Sequence, residues 1–275
     1  MLSHRLRGFG RFENSAAALR AACASSVPWL ELDTRVSLDG EVFVYHDAKE
    51  FSSSPGSTLR AIRYPDGDPL LTLQVALQLF GEWSRPAQTL CIDIKDAGFE
   101  SVHLNLVRDA GLEARVAFVS WMPQTILKLH DLATTAPLIL SYFSLLDLGI
   151  AGTGMDRWIT RRRYRMGNFA AMGSETATEP LGALAHGFQH GLLCRQLPST
   201  VVNALRTSRG GVCVHRWFLG PQLFRYCSGT GLQLWTFSVR TPPEYIRFAS
   251  QPEIDVVFCD DAPAVTREIA AKQLR

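Results

Sequence analysis

The chain has 275 residues, of which 47% are hydrophobic and 20% charged, and its formal net charge is +2 at pH 7. This length and composition are typical of one globular domain with a sizeable core, and are normal for a single α/β barrel. The mild charge argues against nucleic acid or an anionic membrane surface as a partner.

Short apolar strands alternate along the chain with amphipathic helical stretches, the pattern of βαβ units around a parallel sheet. The first strand must be short, because only Met1–Ser3 precede His4. Val42–Tyr45 is an extra strand behind an Asp39-Gly40 turn, which predicts a hairpin. The other predicted strands are Trp29–Thr34, Leu90–Ile94, Val116–Ser120, Leu138–Tyr142, Gly191–Arg195, Gly211–His215, Leu232–Thr236 and Asp255–Asp260.

The stretches between these strands have apolar residues at helical spacing. Asn14 or Ser15, Ser199 and Thr241 stand where N-terminal helix caps belong. The predicted helical segments are Asn14–Cys23, Thr72–Phe80, Pro123–Leu132, Ser199–Arg206 and Pro242–Ala249.

The elements predict a (β/α)₈ TIM barrel of the α/β class, with residues 1–275 as its single domain. Without the hairpin strand there are nine strand candidates for eight barrel positions. Either Gly191–Arg195 or Gly211–His215 is therefore expected to lie outside the barrel.

The glycine-rich segment Gly149–Gly191 is predicted to be a loop over one barrel face. Its basic run Arg161–Arg165 has few interleaved aromatic residues, which favours a solvated loop over a nucleic-acid site.

The six cysteines carry neither Cys-x-x-Cys nor zinc-finger spacing, and four of them lie in apolar segments. Buried free thiols act as small hydrophobic side chains. No apolar run approaches the roughly 18 residues of a membrane-spanning helix, and the N-terminal residues lack the layout of a signal peptide. We therefore expect a cytoplasmic protein with reduced cysteines and no membrane anchor.

Three carboxylates are expected to meet at one end of the barrel. Strand alternation places Glu31 and Asp33 on one face and Leu32 on the other. On another apolar strand Asp93 and Lys95 are again two residues apart. If both strands belong to one barrel, the carboxylates converge at its C-terminal mouth, where barrel active sites form. Three carboxylates without His or Cys ligands suit one divalent hard cation, Mg²⁺ or Ca²⁺.

Each of these charged residues also has a structural interpretation. Glu31 and Asp33 can be solvated charges or partners of arginines, and Asp93 with Lys95 can be a simple ion pair. As a functional residue, Lys95 supplies a positive charge suited to a phosphate oxygen.

Two histidines stand at strand ends near the predicted cation. His4 ends the first strand, and His46 follows the hairpin strand close to Glu31 and Asp33. Cleavage of a phosphodiester needs a base for the nucleophile and an acid for the leaving oxygen, and histidine serves both roles near neutral pH. His215 ends another strand and is either a substrate contact or a packing residue. The histidines interpreted as surface or packing residues are His103, His130, His186 and His190.

Eight short motifs follow one another along nearly the whole chain. They are His4-Arg5, Glu13-Asn14, Glu31-Leu32-Asp33, Asp39-Gly40, His46-Asp47, Asp93-Ile94-Lys95, Trp235-Thr236 and Asp260-Asp261-Ala262-Pro263. In this order and at these spacings they resemble the glycerophosphodiester phosphodiesterase superfamily. The resemblance implies a phosphoric diester hydrolase built on a TIM barrel.

The resemblance also implies a role for each group of site residues. The ligands of one divalent cation are Glu31, Asp33 and Asp93, and the acid–base pair is His4 and His46. The phosphate is stabilised by Arg5 and Lys95, and the substrate pocket is lined by Trp235.

The chain departs from the superfamily pattern in three ways. Leu6 follows the His-Arg pair where glycine is usual, Asp93 replaces the usual Glu, and the insertion after the second histidine is short. The last two features are similar to the sphingomyelinase D and phospholipase D toxin branch. A secreted toxin is not expected, because no cysteine lies between Cys23 and Cys91 to form the loop disulfide of that branch.

The resemblance implies glycerol diesters as the default substrate. The expected cytoplasmic location without a membrane anchor favours small soluble phosphodiesters over lipids. Attack by water gives the phosphomonoester directly, whereas attack by a neighbouring substrate hydroxyl gives a cyclic phosphate first. A sugar phosphodiester of the agrocinopine type is the alternative, because Trp121, Trp217 and Trp235 near the presumed mouth can stack on sugar rings. A second alternative is a phosphosugar-binding barrel without catalysis. The sequence carries no signal for an oligomeric state.

Overall fold

A closed parallel barrel forms the centre of the molecule in a computed structural model, which describes residues 1–47, 51, 53–147, 193–194 and 196–273. The strand bounds are β1 Leu2–Ser3, β2 Trp29–Val36, β3 Val42–Val44, β4 Thr89–Ile94, β5 Val116–Ser120, β6 Leu138–Ser144, β7 Leu193–Cys194, β8 Gly211–His215, β9 Gln233–Val239 and β10 Val256–Cys259. The barrel strands pair in the order β1-β2-β4-β5-β6-β8-β9-β10 and return to β1, all in parallel. The predicted (β/α)₈ barrel is therefore confirmed.

Two of these strands lie off the closed path. β3 pairs antiparallel with β2, which gives the predicted hairpin. β7 pairs with β6 within the described part of the chain, while β8 pairs with both β6 and β9. Of the two candidates for a place outside the barrel, it is therefore the one whose described residues are Leu193–Cys194.

The described helices surround the barrel, and their starts reflect local capping. Ser15 accepts a hydrogen bond from the Ala18 amide at 3.2 Å, and Thr241 accepts one from the Glu244 amide at 3.4 Å. The predicted cap at Ser199 is wrong, because Pro198 occupies the cap position and Ser199 is already helical. The helices are α1 Ala16–Ala24, α2 Gly56–Leu59, α3 Leu73–Trp83, α4 Glu100–Asp109, α5 Pro123–Asp131, α6 Ser199–Thr207, α7 Pro221–Thr230, α8 Pro242–Ala249 and α9 Ala262–Gln273.

The barrel interior is layered, because every second residue of a strand points inward. The lower interior is a buried cluster to which seven strands contribute, made of Leu2, Cys91, Ala117, Val119, Ile139, Cys213, Trp235, Val256 and Phe258. A larger core lies between the strands and the helices. Inward-facing residues nearer the C-terminal ends of the strands, such as Asp93 two places after Cys91 and Phe237 two places after Trp235, form the upper layer at the C-terminal mouth.

The six cysteines are free and buried, as predicted. Among the described helices, none combines the length and the apolar character required to cross a bilayer. The predicted loop Gly149–Gly191, with its arginine run, His186 and His190, lies outside the described residues.

Candidate active site

Glu31, Asp33 and Asp93 meet at the C-terminal mouth of the barrel. Asp33 of β2 is the direct neighbour of Asp93 of β4, and Glu31 lies one inward-facing position below, beside Cys91. One ligand oxygen from each carboxylate lies within 4.8 Å of the others. All three residues are buried, with exposures of 1%, 0% and 6%.

Burial and mutual repulsion act differently on the three carboxylates. Burial, and then the neighbouring charges of Asp33 and Asp93, raise the pKa of Glu31 well above its usual value. Burial also raises the pKa of Asp93. Burial alone would raise the pKa of Asp33 as well, but Lys95 and Arg5 hold that pKa well below its usual value.

Lys95 and Arg5 are the cations in direct contact with this cluster in the described structure. Lys95 Nζ lies 2.5 Å from Asp93 Oδ2 and 2.9 Å from Asp33 Oδ1. Arg5 Nε lies 3.2 Å from Asp33 Oδ2, and the Arg5 backbone amide donates to Glu31 Oε2 at 2.6 Å. The structure therefore contains the ion pairs of Asp33 with an arginine and of Asp93 with Lys95 that the sequence offered as a structural interpretation of these charges. Two cations against three carboxylates still leave one negative charge when all three ionise.

The carboxylate cluster suits a divalent cation. Asp93 Oδ1 is buried and makes no hydrogen bond among the described residues, a condition that is costly for a carboxylate oxygen. The cluster offers oxygen ligands only, the donor set that Mg²⁺ and Ca²⁺ prefer. Glu31, Asp33 and Asp93 would hold such an ion.

The two predicted histidines lie beside this cluster. His46 follows β3, and its position next to Asp33 is set by the Tyr45 amide, which donates to the Asp33 carbonyl oxygen at 3.0 Å. Its Nε2 accepts from Arg5 Nη2 at 2.6 Å. Burial, aided by the charges of Lys95 and Arg5, lowers the pKa of His46 to about 4 although Asp33 opposes this. His4 occupies a short 3₁₀ turn directly after β1.

The Glu13-Asn14 motif orients the groups that surround the carboxylates. Asn14 Nδ2 donates to Asp33 Oδ2 at 3.1 Å, and Glu13 Oε1 accepts from Arg5 Nη1 at 3.3 Å. Asn14 is buried at a φ of +56°, a conformation that asparagine tolerates better than most residues. The motif thus fixes one ligand carboxylate and the guanidinium beside it.

Arg35 is a structural residue of the site that sequence reasoning missed. It is 1% exposed, its Nε donates to the His46 carbonyl oxygen at 2.9 Å, and its Nη1 donates to Asp96 Oδ1 at 3.0 Å. Asp96 Oδ2 also accepts from the Val36 amide at 2.9 Å. Its position in the sequence could have indicated an inward-facing side chain, since Arg35 continues the inward alternation of Glu31 and Asp33.

The strands β5, β6, β8 and β9 place aromatic rings at the mouth. Trp121 follows β5 and its ring centroid lies 5.6 Å from that of Phe237 in β9. His215 ends β8, with ring centroids 4.4 Å from Trp217 and 5.0 Å from Phe237. Trp121, Trp217 and Phe237 are half-buried. We call these four rings, together with Phe143, whose ring centroid lies 5.1 Å from that of Trp121, the aromatic half of the mouth.

His215 and Trp235 do not join the charged residues. His215 is 3% exposed, accepts a hydrogen bond from the Trp217 amide at 3.3 Å, and has its pKa lowered to about 3, chiefly by burial. Trp235 is fully buried in the lower interior, where its Nε1 donates to Gln233 Oε1 at 2.8 Å. The mouth residue of β9 is instead Phe237, two places further along the same face, which sequence reasoning missed.

The fold and the site define a (β/α)₈-barrel protein with an anionic, histidine-flanked cluster at the C-terminal mouth. No family model and no curated protein matches the sequence. Solved structures do match over nearly the full length of the chain.

A putative glycerophosphoryl diester phosphodiesterase from Silicibacter pomeroyi has a TM-score of 0.69 and 15% identity, covering 98% of this chain and 93% of that one. A glycerophosphodiester phosphodiesterase from Parabacteroides distasonis has a TM-score of 0.66 and 15% identity, covering 100% and 97%. An Oleispira antarctica phosphodiesterase, solved with the product sn-glycerol-3-phosphate, has a TM-score of 0.62 and 16% identity, covering 98% and 96%. This chain therefore has the fold of these phosphodiesterases, and the resemblance inferred from the sequence is confirmed at that level.

Proposed function

We propose that the protein is a metal-dependent phosphodiesterase that cleaves a small soluble phosphodiester to an alcohol and a phosphomonoester. The observation that carries this proposal is a cluster of three buried carboxylates, within 4.8 Å of one another, at one barrel mouth. Two cations, Arg5 and Lys95, pair with this cluster, and Arg5 also donates to His46. The fold shared with glycerophosphodiester phosphodiesterases supports it.

The charged groups suit a phosphoryl group that gains negative charge in the transition state. A divalent cation held by Glu31, Asp33 and Asp93 would polarise a non-bridging phosphate oxygen. Arg5 and Lys95 are already oriented by these carboxylates, so they can share the growing charge without reorganisation.

His4 and His46 serve as the acid–base pair in this proposal. One accepts the proton of the attacking hydroxyl, and the other gives a proton to the leaving oxygen. The pKa of His46 is lowered to about 4 by burial, with contributions from Lys95 and Arg5. An anionic phosphate between these two cations would offset their effect and make His46 easier to protonate.

The attacking hydroxyl is either water or a neighbouring hydroxyl of the substrate. The second route gives a cyclic phosphate first. Phosphorus NMR of the early product separates the routes, and a cyclic phosphate that never accumulates under any condition would remove the second one.

A glycerophosphodiester is the first candidate substrate, since a protein of the same fold was solved with sn-glycerol-3-phosphate. A sugar phosphodiester of the agrocinopine type is the second. The aromatic half of the mouth favours it, because partly exposed rings such as Trp121 and Phe237 can stack on a sugar face.

The rival to catalysis is a barrel that only binds phosphosugars. On that hypothesis His4→Ala and His46→Ala leave ligand affinity intact, and no diester is ever cleaved. The test is a screen of glycerol, lysolipid and sugar phosphodiesters with Mg²⁺, with Ca²⁺ and with a chelator. Cleavage that persists in the chelator would contradict the role of the carboxylates.

A cytoplasmic location is part of the proposal, supported by six free buried cysteines, which are typical of a reducing compartment. A single domain over residues 1–275 and the absence of a nucleic-acid partner stay predictions.

A further inference from the structure

His4 and Asp260 are joined through the register of the barrel. β1 pairs with β10 so that Leu2 lies beside Phe258 and Ser3 beside Cys259. The residues that directly follow the two strands are His4 and Asp260, and His4 Nδ1 lies 2.6 Å from Asp260 Oδ1. The His4 ring also makes an edge contact with Phe258, with centroids 5.9 Å apart. Barrel strands, and not a long loop, therefore hold this pair together.

The surroundings of Asp260 keep its carboxyl group ionised. Arg7 Nη1 lies 3.5 Å from Asp260 Oδ1, and Arg240 Nε lies 4.0 Å from Oδ2. Burial alone would raise the pKa of Asp260, but the hydrogen bond with His4 and the charges of His4 and Arg7 lower it to about 2. An ionised carboxylate only accepts hydrogen bonds, so Nδ1 of His4 must carry the proton of this contact.

A neutral histidine with its proton on Nδ1 has its lone pair on Nε2. Within the described residues, the hydrogen bonding of the His4 ring is confined to Nδ1, which leaves Nε2 for the reaction. His46 differs in both respects. Its Nε2 accepts from Arg5, and its carboxylate partner Asp47 has a side chain that is 64% exposed.

We propose that Asp260 is a positioning residue that fixes the tautomer and orientation of His4 and thereby makes His4 the base of the reaction. This inference rests on the proposed phosphodiesterase function. Nε2 of His4 takes the proton of the attacking hydroxyl while the oxygen of that hydroxyl bonds to phosphorus. The bond from phosphorus to the leaving oxygen breaks, and that oxygen receives a proton from His46. His46 takes up this proton from solvent once the bound phosphate offsets the charges of Lys95 and Arg5. Asp260 stabilises the imidazolium that forms on His4, and it does not itself take a proton.

The first test is Asp260→Asn, which keeps the shape of the side chain but removes its charge and offers an amide donor to Nδ1. We expect kcat to fall by roughly 100-fold or more, because a histidine in the wrong tautomer cannot accept the proton. KM and the affinity for Mg²⁺ should stay within about threefold of wild type, since Asp260 contacts neither the carboxylate cluster nor Lys95. Asp260→Glu should recover part of kcat.

The matched control is Asp261→Asn on the adjacent carboxylate. Asp261 accepts from the Ala264 amide at 2.9 Å at the start of α9, so this variant tests a local stability effect in the same segment. Its kcat should stay within about twofold of wild type. A kcat for Asp260→Asn equal to that of this control would overturn the proposal.

The second test reads the tautomer directly and needs no turnover. Nitrogen-15 NMR of histidine-labelled protein, with His4→Ala for assignment, should show the His4 proton on Nδ1 in the wild type. It should show redistribution to Nε2 in Asp260→Asn. A wild-type His4 protonated on Nε2 would refute the positioning role even in an active enzyme. A wild type that cleaves no diester but shows the Nδ1 proton would refute the proposed function and the base role, while leaving the tautomer assignment standing.

Discussion

Replacing Arg35 by methionine removes a buried guanidinium that links two segments of the site. The side chain donates to the carbonyl oxygen of His46 at 2.9 Å and to Asp96 at 3.0 Å. It is 1% exposed, so water cannot replace it without a rearrangement. Methionine retains much of the apolar stem and isolates the loss of the charged head.

The expected loss of stability follows from these contacts. Breaking a buried ion pair by removing one partner costs roughly 3–5 kcal/mol. The Asp96 side chain is 29% exposed and recovers part of that cost by solvation, whereas the buried carbonyl of His46 loses about 1 kcal/mol. We expect a decrease of about 3 kcal/mol in the free energy of unfolding. That corresponds to a fall in Tm of about 6–12 °C for a domain of this size.

Urea unfolding followed by far-ultraviolet circular dichroism measures this loss, provided that the m-value is unchanged. Arg206→Met is the control, because Arg206 is an exposed helix residue that contacts Asn203, and it should change stability by less than about 0.5 kcal/mol. A double-mutant cycle with Asp96→Asn should give a coupling of about 1 kcal/mol or more. A loss below about 1 kcal/mol for Arg35→Met would refute the assignment of Arg35 as a structural link.

Mg²⁺ or Ca²⁺ at a hundred times its Kd should stabilise the protein by about 2.7 kcal/mol in a thermal shift assay, and a shift that persists in Glu31→Gln would argue against the ligand set. The pKa of Asp260 is lowered from 3.8 to about 2, so its ionised form should contribute about 2 kcal/mol of stability above pH 4 that is lost as the pH falls toward 2. Acid titration of Asp260→Asn should lack this loss, and an unchanged acid limb would contradict it. Trp235→Ala should cost about 3–5 kcal/mol of stability with little change in KM, whereas Phe237→Ala should raise KM with a smaller loss of stability; the opposite pattern would exclude our placement of the two rings.

The carboxylate cluster at the mouth was predictable because strand alternation carries the needed information. The period of two in Glu31-Leu32-Asp33 and in Asp93-Ile94-Lys95 fixes which face each carboxylate occupies, and parallel strands bring equivalent ends together. The register Asp33 beside Asp93 is the geometric outcome of that pattern.

The height of a given side chain along the barrel axis was not predictable from strand alternation. Trp235 and Phe237 share one face of β9, and the pattern does not say which one reaches the mouth. Tertiary register decides this, since Trp235 packs against Trp29 at the start of β2, with ring centroids 5.2 Å apart.

Two other features depended on contacts between distant segments. The candidate strand at residues 191–195 looked equivalent to Gly211–His215 in sequence, and only pairing with β6 and β9 distinguishes the barrel strand. The burial of Arg35 likewise depends on Asp96, 61 residues away. Secondary-structure propensity is a weak predictor of strand pairing and side-chain burial where such long-range contacts decide them.

The short strand β1 has a consequence for how the site loses its geometry. It consists of Leu2 and Ser3 alone, yet it completes the ring of strands by pairing with β10 on one side and β2 on the other. His4 and Arg5 follow without an intervening residue. Any local opening of this two-residue seam carries both side chains away from their partners, so ring closure and the working geometry fail as one cooperative event.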